Sequence, residues 1–285
     1  MGSQGSPTVR GIRLGMELRR LRQEAELTIE EVAKHLTMSR SRLSRVETGK
    51  VVPRQRDVRA MLDLFGTTDA QQVELLLTIT REAQQKGWWT DYEDVLPAGF
   101  ETYVGLEAAA TTLREYQVHL VPGLLQTEDY ARAVIRATRG GNENDIEQLV
   151  ALRMRRQERL TGEHPLELWA VLDEAALHRP VGGRPVMREQ LRHLAEIGQR
   201  DNVTVQVMPY DKGTHPGLAG PFAIVECPDL REQETVYVDS SGGNIYLEKP
   251  RDLRRHTRIF DHLRAEALGA GDSAAFLNAV ANEMT

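Results

Sequence analysis

Two helix-start signals stand eleven residues apart near the N-terminus, and together they leave this part of the chain little conformational choice. Thr28 is an N-cap with Glu31 three residues on, the spacing of a capping box, and Leu27 and Val32 sit where a hydrophobic staple pairs. Ser39 is a second N-cap, with Met38 and Leu43 as its staple pair. The first helix therefore ends near Leu36, and about three residues join it to the second. Gly49 is the expected left-handed stop of the second helix. Ala33 lies where helices joined so tightly must cross, and a larger side chain would push them apart. Leu36, Leu43 and Val46 form the shared core. The spacing predicts a helix-turn-helix. A helix from about Val9 to Glu26 precedes it, with Leu14, Leu18 and Leu21 on one face, and another from about Gln55 to Phe65 follows Pro53.

The second helix then exposes Arg40, Ser41, Arg42, Ser44 and Arg45, with no carboxylate before Glu47. Arginine donates two hydrogen bonds to guanine, and serine serves several bases or a phosphate, so this face suits a major groove. Charge agrees. The 285 residues carry a net charge of −6, but residues 1–66 hold 13 Lys/Arg against 8 Asp/Glu and the remainder 23 against 34. A basic head on an acidic body favours phosphates at the head alone. The alternative is a helix-turn-helix kept for protein contacts.

The run Leu27-Thr28-Ile29-Glu30-Glu31-Val32-Ala33, followed by Met38 to Lys50, resembles the XRE family of phage-repressor-type DNA-binding domains. The resemblance implies that Arg40, Ser41, Ser44 and Arg45 face base edges, that Arg42 meets the backbone, and that Lys50 and Arg54 approach phosphate. Two residues depart from the family pattern. Ile29 stands where a phosphate-binding glutamine is common, and Thr37 where the turn often has glycine. A β-branched residue at positive φ is strained, so a wider turn is expected.

The body reads as α+β. Asp69 and Gln72 mark another capping box, opening a helix to about Gln85. Trp88, Trp89, Tyr92, Phe100 and Tyr103 are five aromatics within sixteen residues, against 5% for the whole chain. They are either a small core sealing head to body or a ligand or partner surface. Residues 104–117 read as a helix of small residues, and further helices are expected at about 128–139, 144–160, 184–199, 250–268 and 273–284. The run Arg153 to Arg159 reads as a solvated face. Strand-like alternation appears at 166–172, 202–209, 222–226 and 235–239, with a hairpin through Gly242-Gly243 to 244–247. The expected fold is a mainly α N-terminal helix-turn-helix domain plus an α+β C-terminal domain with a small, largely antiparallel sheet. The boundaries are a disordered tail over 1–7, the DNA-binding domain at 8–66, a connecting helix and aromatic linker at 67–103, and a regulatory and dimerisation domain at 104–285.

The phrases Val121-Pro122-Gly123-Leu124-Leu125-Gln126-Thr127, Tyr130-Ala131-Arg132-Ala133, Arg155 to Leu160 and Gly220-Pro221-Phe222 are similar to the C-terminal domain of WhiJ-like actinobacterial regulators. That group joins an XRE head to this domain and is often paired with a small BldB-like partner protein, in a manner described as toxin–antitoxin-like. The resemblance implies a role and no chemistry.

A search for chemistry finds no catalytic constellation. His178, His193 and His215 lack short-spaced partners, and the single cysteine, Cys227, makes a structural zinc site improbable and an internal disulfide impossible. Asp173-Glu174 would point to opposite faces of an extended chain. The 214–220 loop lacks a P-loop signature. No apolar stretch is long enough for a membrane helix, and Met1 to Ser6 lack the apolar core of a secretion signal. The expectation is a cytoplasmic, dimeric transcriptional regulator of double-stranded operator DNA, with no cofactor, metal or catalytic residues. Trp88, Trp89, Tyr92 and Tyr103 are its expected regulatory surface, for a small acidic BldB-like protein or a small molecule. A neutraliser of a small partner that autoregulates its operon is the alternative, and an enzyme with a DNA-binding head the less favoured one.

Overall fold

The computed structural model describes residues 9–49, 51–83, 87–97, 99–227, 234–240 and 243–284. The expected tail lies outside them. The chain divides into two compact units, residues 1–93 with 100–106, and residues 94–99 with 107–285.

The first unit is helical: α1 (Val9–Glu24), α2 (Ile29–His35), α3 (Arg40–Glu47), α4 (Gln55–Leu64) and α5 (Ala70–Ala83), then a 3-10 turn at Trp88–Tyr92. Both helix-start signals form. Thr28 Oγ1 accepts the Glu31 N–H at 3.2 Å while the Glu31 carboxylate accepts the Thr28 N–H at 2.8 Å. The Thr28 N–H, and with it the Thr28 hydroxyl, donates to the Glu31 carboxylate and holds its carboxyl below the ordinary range. Ser39 Oγ accepts the Arg42 N–H at 3.1 Å. The Asp69–Gln72 box does not form: Asp69 accepts from Gln71 N, and Gln72 instead donates to Glu17 on α1 at 3.1 Å. Leu14, Leu18, Val32, Leu43, Val46, Val58, Met61 and Leu76 make one core to which all five helices contribute.

The turn between α2 and α3 is not widened. Met38 N–H donates to Ala33 O at 2.9 Å and Thr37 N–H to Lys34 O at 3.3 Å, the two bonds of a Schellman motif. Thr37 takes the left-handed conformation itself, at φ +52°. Glu26 does the same after α1, at φ +56°, which ends that helix at Glu24. Each non-glycine residue in this region costs about 1–2 kcal/mol, and burial of the flanking Val32, Ala33 and Leu43 offsets it.

α6 (Phe100–Ala109) is divided at Glu107, where the main stretch of the second unit begins. Its elements run β1 (Thr112–Gln117), α7 (Glu128–Arg139), α8 (Glu143–Gln157), β2 (Glu167–Asp173), α9 (Ala175–His178), α10 (Arg184–Ile197), β3 (Val203–Met208), β4 (Phe222–Glu226), β5 (Glu234–Ser240), β6 (Gly243–Leu247), α11 (Pro250–Glu266) and α12 (Ala270–Glu283). The strands form one six-stranded sheet in the order β3-β2-β1-β4-β5-β6. β1, β2 and β3 are parallel, and β4, β5 and β6 extend the sheet antiparallel from β1.

This overturns the expected small, largely antiparallel sheet. The error traces to one strand. Residues 104–117 are not one helix: α6 stops at Ala109 and 112–117 is the central strand. β1 carries Leu113, Glu115 and Gln117 on one face and Arg114 and Tyr116 on the other. Each face mixes polar with apolar, so no alternation shows in the sequence. Its pairing with β2 on one side and β4 on the other decides its conformation.

One face of the sheet packs Tyr116, Val171, Met208, Ile224 and Val236 against Phe260 and Leu263 of α11. β3 is a covered edge, since Val207 N–H donates to Ser273 Oγ at 3.0 Å and Val207 O accepts from Leu268 N–H at 2.9 Å. No helix among the described residues is long and apolar enough to cross a membrane.

Candidate nucleic-acid interface

Three contacts set the position of α3. Gly15 of α1 lies so close to α3 that a Cβ there would stand 2.3 Å from Val46 O and 2.9 Å from Glu47 C. Arg22 of α1 grips the buried Glu47 carboxylate with two bonds, at 2.6 and 3.0 Å, and also donates to Leu27 O at 2.7 Å. Ala33 is 5% exposed at the α2–α3 crossing. The first two contacts join residues distant in sequence and no local pattern marks them.

On the outward side, Arg40, Ser41 and Arg42 are exposed, and Ser44 and Arg45 are half-buried. Arg40 pairs with Glu30 at 2.9 Å and Arg42 with Asp57 at 3.5 Å. Exposed pairs of this kind contribute about 0–1 kcal/mol, so exchange of Glu30 or Asp57 for a phosphate meets little resistance. Arg45 Nε is enclosed without a hydrogen-bond partner. Arg54 is exposed as the N-cap residue of α4. Lys50 lies outside the described residues.

The aromatics fall in two places. Trp88, Trp89 and Tyr92 share the 3-10 turn, with Trp88 edge-on to both others at 6.0 and 6.3 Å. The Trp89 ring folds over Gly87, and its Nε1 is buried without a partner. Tyr103 is on α6, stacked on Phe100 at 5.6 Å.

In the second unit the Arg153–Arg159 run is not the expected solvated face. Arg156 is buried and donates two bonds to Glu107, at 2.7 and 2.6 Å. Arg153 donates to Gln126 Oε1 at 2.7 Å, and desolvation followed by the nearby Arg156 charge pulls its guanidinium down to about 10. Gln157 donates to Gly123 O and Gln126 O, and Gln190 to Leu125 O. Gln157 and Gln190 thereby satisfy three carbonyls of the 121–127 loop, at Gly123, Leu125 and Gln126.

Glu115 sits beside this network on β1. Burial, with the Glu107 charge adding to it, pushes its carboxyl up to about 7, and its Oε1 has no partner. A carboxyl raised in the folded state binds protons more tightly there than in the unfolded chain. Its stabilising share is complete below the ordinary 4.5 and is lost as pH rises towards 7. Glu115→Gln is therefore expected to stabilise the protein at pH 8 by roughly 3 kcal/mol and to flatten the decline between pH 4.5 and 7. Urea denaturation across that range checks it, and an unchanged pH slope contradicts it.

At the carboxyl ends of β1 and β2, Asp173 accepts the Tyr116 hydroxyl at 2.9 Å, with His215 Nε2 3.6 Å away. Burial and then the Asp173 charge push the Tyr116 hydroxyl well up. Glu174 turns the other way, accepting Tyr210 N–H and meeting His178 Nε2 at 3.0 Å. Glu174 and His178 are only four residues apart, but spacing could not join Tyr116, Asp173 and His215, which come from β1, β2 and the connection between β3 and β4. No cluster of three or more metal-ligating side chains occurs among the described residues.

A helix-turn-helix domain model matches residues 13–76. A second family model, described as a domain of unknown function, DUF5753, matches residues 100–279, well over half of the chain. The chain belongs to the DUF5753 family. No curated protein and no solved structure matches it. Its helix-turn-helix makes this DUF5753 protein a DNA-binding regulator. The DUF5753 match takes in the sheet, the 121–127 loop and the buried arginines of α8.

Proposed function

We propose that this DUF5753 protein is a sequence-specific transcriptional regulator in the cytoplasm, with Arg40, Ser41, Ser44 and Arg45 reading bases and Arg42, Lys50 and Arg54 holding phosphates. The observation that carries this reading is the outward face of α3, which offers five hydrogen-bonding side chains on a helix locked from behind by Gly15 and the Arg22–Glu47 pair. One head offers few base contacts. Binding as a two-fold dimer to half-sites about one helical turn apart supplies the missing specificity.

Arg45→Ala is expected to cost about 1–3 kcal/mol on a duplex that the full-length protein has selected from a random pool, and to relax preference at one base position. Titration at fixed salt with the selected and a scrambled duplex measures both. Unchanged affinity for the selected duplex means that α3 does not face the groove as proposed. Footprinting on the same duplex reports the dimer as two protected half-sites, and a single protected half-site at full affinity contradicts it.

The DUF5753 unit is proposed as a regulatory, non-enzymatic domain of the WhiJ-like type that takes a small partner protein of BldB-like kind or a small ligand. Two of the phrases that carry the resemblance, 121–127 and 155–160, support this by packing into one polar network. The proposed regulatory surface is Trp88, Trp89, Tyr92 and Tyr103 of the first unit, of which Trp89 and Tyr103 are buried, and it is supported by the Trp89 Nε1, which has no partner among the described residues. Co-purification from the native cell tests it: Trp89→Ala should lose the co-purifying species while keeping DNA affinity, and retention moves the surface elsewhere.

A further inference from the structure

The charge beyond residue 66 is unevenly placed. Residues 67–285 carry 23 Lys/Arg against 34 Asp/Glu, yet the ten residues from Lys249 to Arg258 carry five against one. Outside that stretch the balance is 18 against 33. The basic residues are Lys249, Arg251, Arg254, Arg255 and Arg258, at the start of α11. All five are exposed.

Helical periodicity gathers them. Positions 251, 254, 255 and 258 follow the i, i+3, i+4, i+7 pattern of a single face, and the exposed His262 continues it one turn on. The opposite face carries Leu253, Phe260 and Leu263, which pack on the sheet. Arg264, further along, lies outside the stripe: it pairs with Asp261 at 3.1 Å and sits 5.1 Å over the Trp169 ring. Among the described residues, Arg251, Arg254, Arg255 and Arg258 have no carboxylate partner.

Stability does not account for this placement. Arg251, in the first turn of α11, faces the positive end of the helix dipole, where a cation is unfavourable. Four guanidiniums on one face also repel one another. An anion lying along the helix reverses the sign of both terms. The stripe contains no exposed aromatic or large apolar side chain; those among the described residues are Leu75, Tyr210, Leu218 and Ile245. Protein interfaces are anchored by such groups, whereas a phosphate backbone needs only forked donors and charge.

We infer that the Arg251–Arg258 face of α11 is a second phosphate-binding surface, which engages the DNA backbone outside the sequence read by α3. The acidic remainder of the unit repels DNA and so leaves this face as the one that can approach it. The inference rests on the DNA-binding reading above, and the test separates the two.

The full-length protein and its Arg251→Gln/Arg254→Gln/Arg255→Gln/Arg258→Gln variant are titrated over a range of salt. The probe is the selected duplex, with and without random-sequence flanks. Because the four side chains are exposed, thermal melting should not fall, and an Arg139→Gln/Arg179→Gln/Arg192→Gln/Arg200→Gln variant, also of four exposed arginines, controls for net charge. Each lost phosphate contact lowers the slope of log Kd against log salt by about 0.9. The stripe variant is therefore expected to show a slope smaller by about 2–4 on flanked DNA, no difference on trimmed DNA, and undiminished preference for the selected sequence. Equal slopes on flanked DNA overturn the inference while leaving the α3 reading intact. Failure of the unaltered protein to select any duplex would instead sink the α3 reading. Equal DNA slopes together with poly-L-glutamate binding that needs the same arginines would assign the face to an acidic protein.

Discussion

Glu107→Ala is expected to lower the stability of the DUF5753 unit by about 3–5 kcal/mol. Glu107 is 1% exposed and Arg156 5%, and two short bonds join them. Removing the carboxylate leaves a guanidinium enclosed beside Arg153, which has no carboxylate partner of its own among the described residues. The penalty is that of an uncompensated buried cation, far above the value of an exposed pair. Two short apolar side chains in the same space remove both charges, so Glu107→Met/Arg156→Met should recover most of the loss. Urea unfolding followed at Trp169, in a chain with Trp88 and Trp89 changed to Phe, resolves the two variants. A loss below about 1 kcal/mol for Glu107→Ala would place the pair in contact with solvent.

Gly15→Ala should destabilise the first unit by about 2–3 kcal/mol and weaken DNA binding along with it. Two effects of opposite sign compete. Alanine is the better helix former by about 1 kcal/mol. Against that, the added Cβ meets Val46 O at 2.3 Å and Glu47 at 2.9 Å. Both contacts are with backbone, which cannot rotate away, so α3 must move as a body. Its displacement would also stretch the Arg22–Glu47 bonds. Denaturation and DNA titration of one preparation read both consequences. A stabilised Gly15→Ala protein would mean that α1 and α3 do not approach as described.

How much was legible in advance differs sharply between the units, for a physical reason. In the first, the informative interactions are local. Thr28 with Glu31 and Ser39 with Arg42 N–H lie three residues apart, so their chemistry can be read along the chain. Apolar spacing showed the core of α1 to α4 for the same reason. Thr37 was recognised as unusual, but whether the turn would widen or the residue would accept φ +52° depended on the packing around it.

The second unit depends on partners far away in sequence. β1 is a strand because β2, some fifty-five residues on, and β4, over a hundred on, offer it backbone partners. Its own side chains alternate on neither face. The arginines of α8 looked like a solvated run because their acceptors, Glu107 and the 121–127 loop, are remote. The stripe on α11 could be seen as charge in the sequence, but that it meets no carboxylate among the described residues could not. By itself the sequence determined where α1 to α4 start, the residues α3 would turn outward, and the basic and acidic division of the chain. Only the tertiary structure decided the mixed sheet, the buried ion pairs and the close approach at Gly15. Short-range hydrogen bonds and periodicity are properties of a segment, whereas strand pairing and desolvation belong to segments brought together by folding.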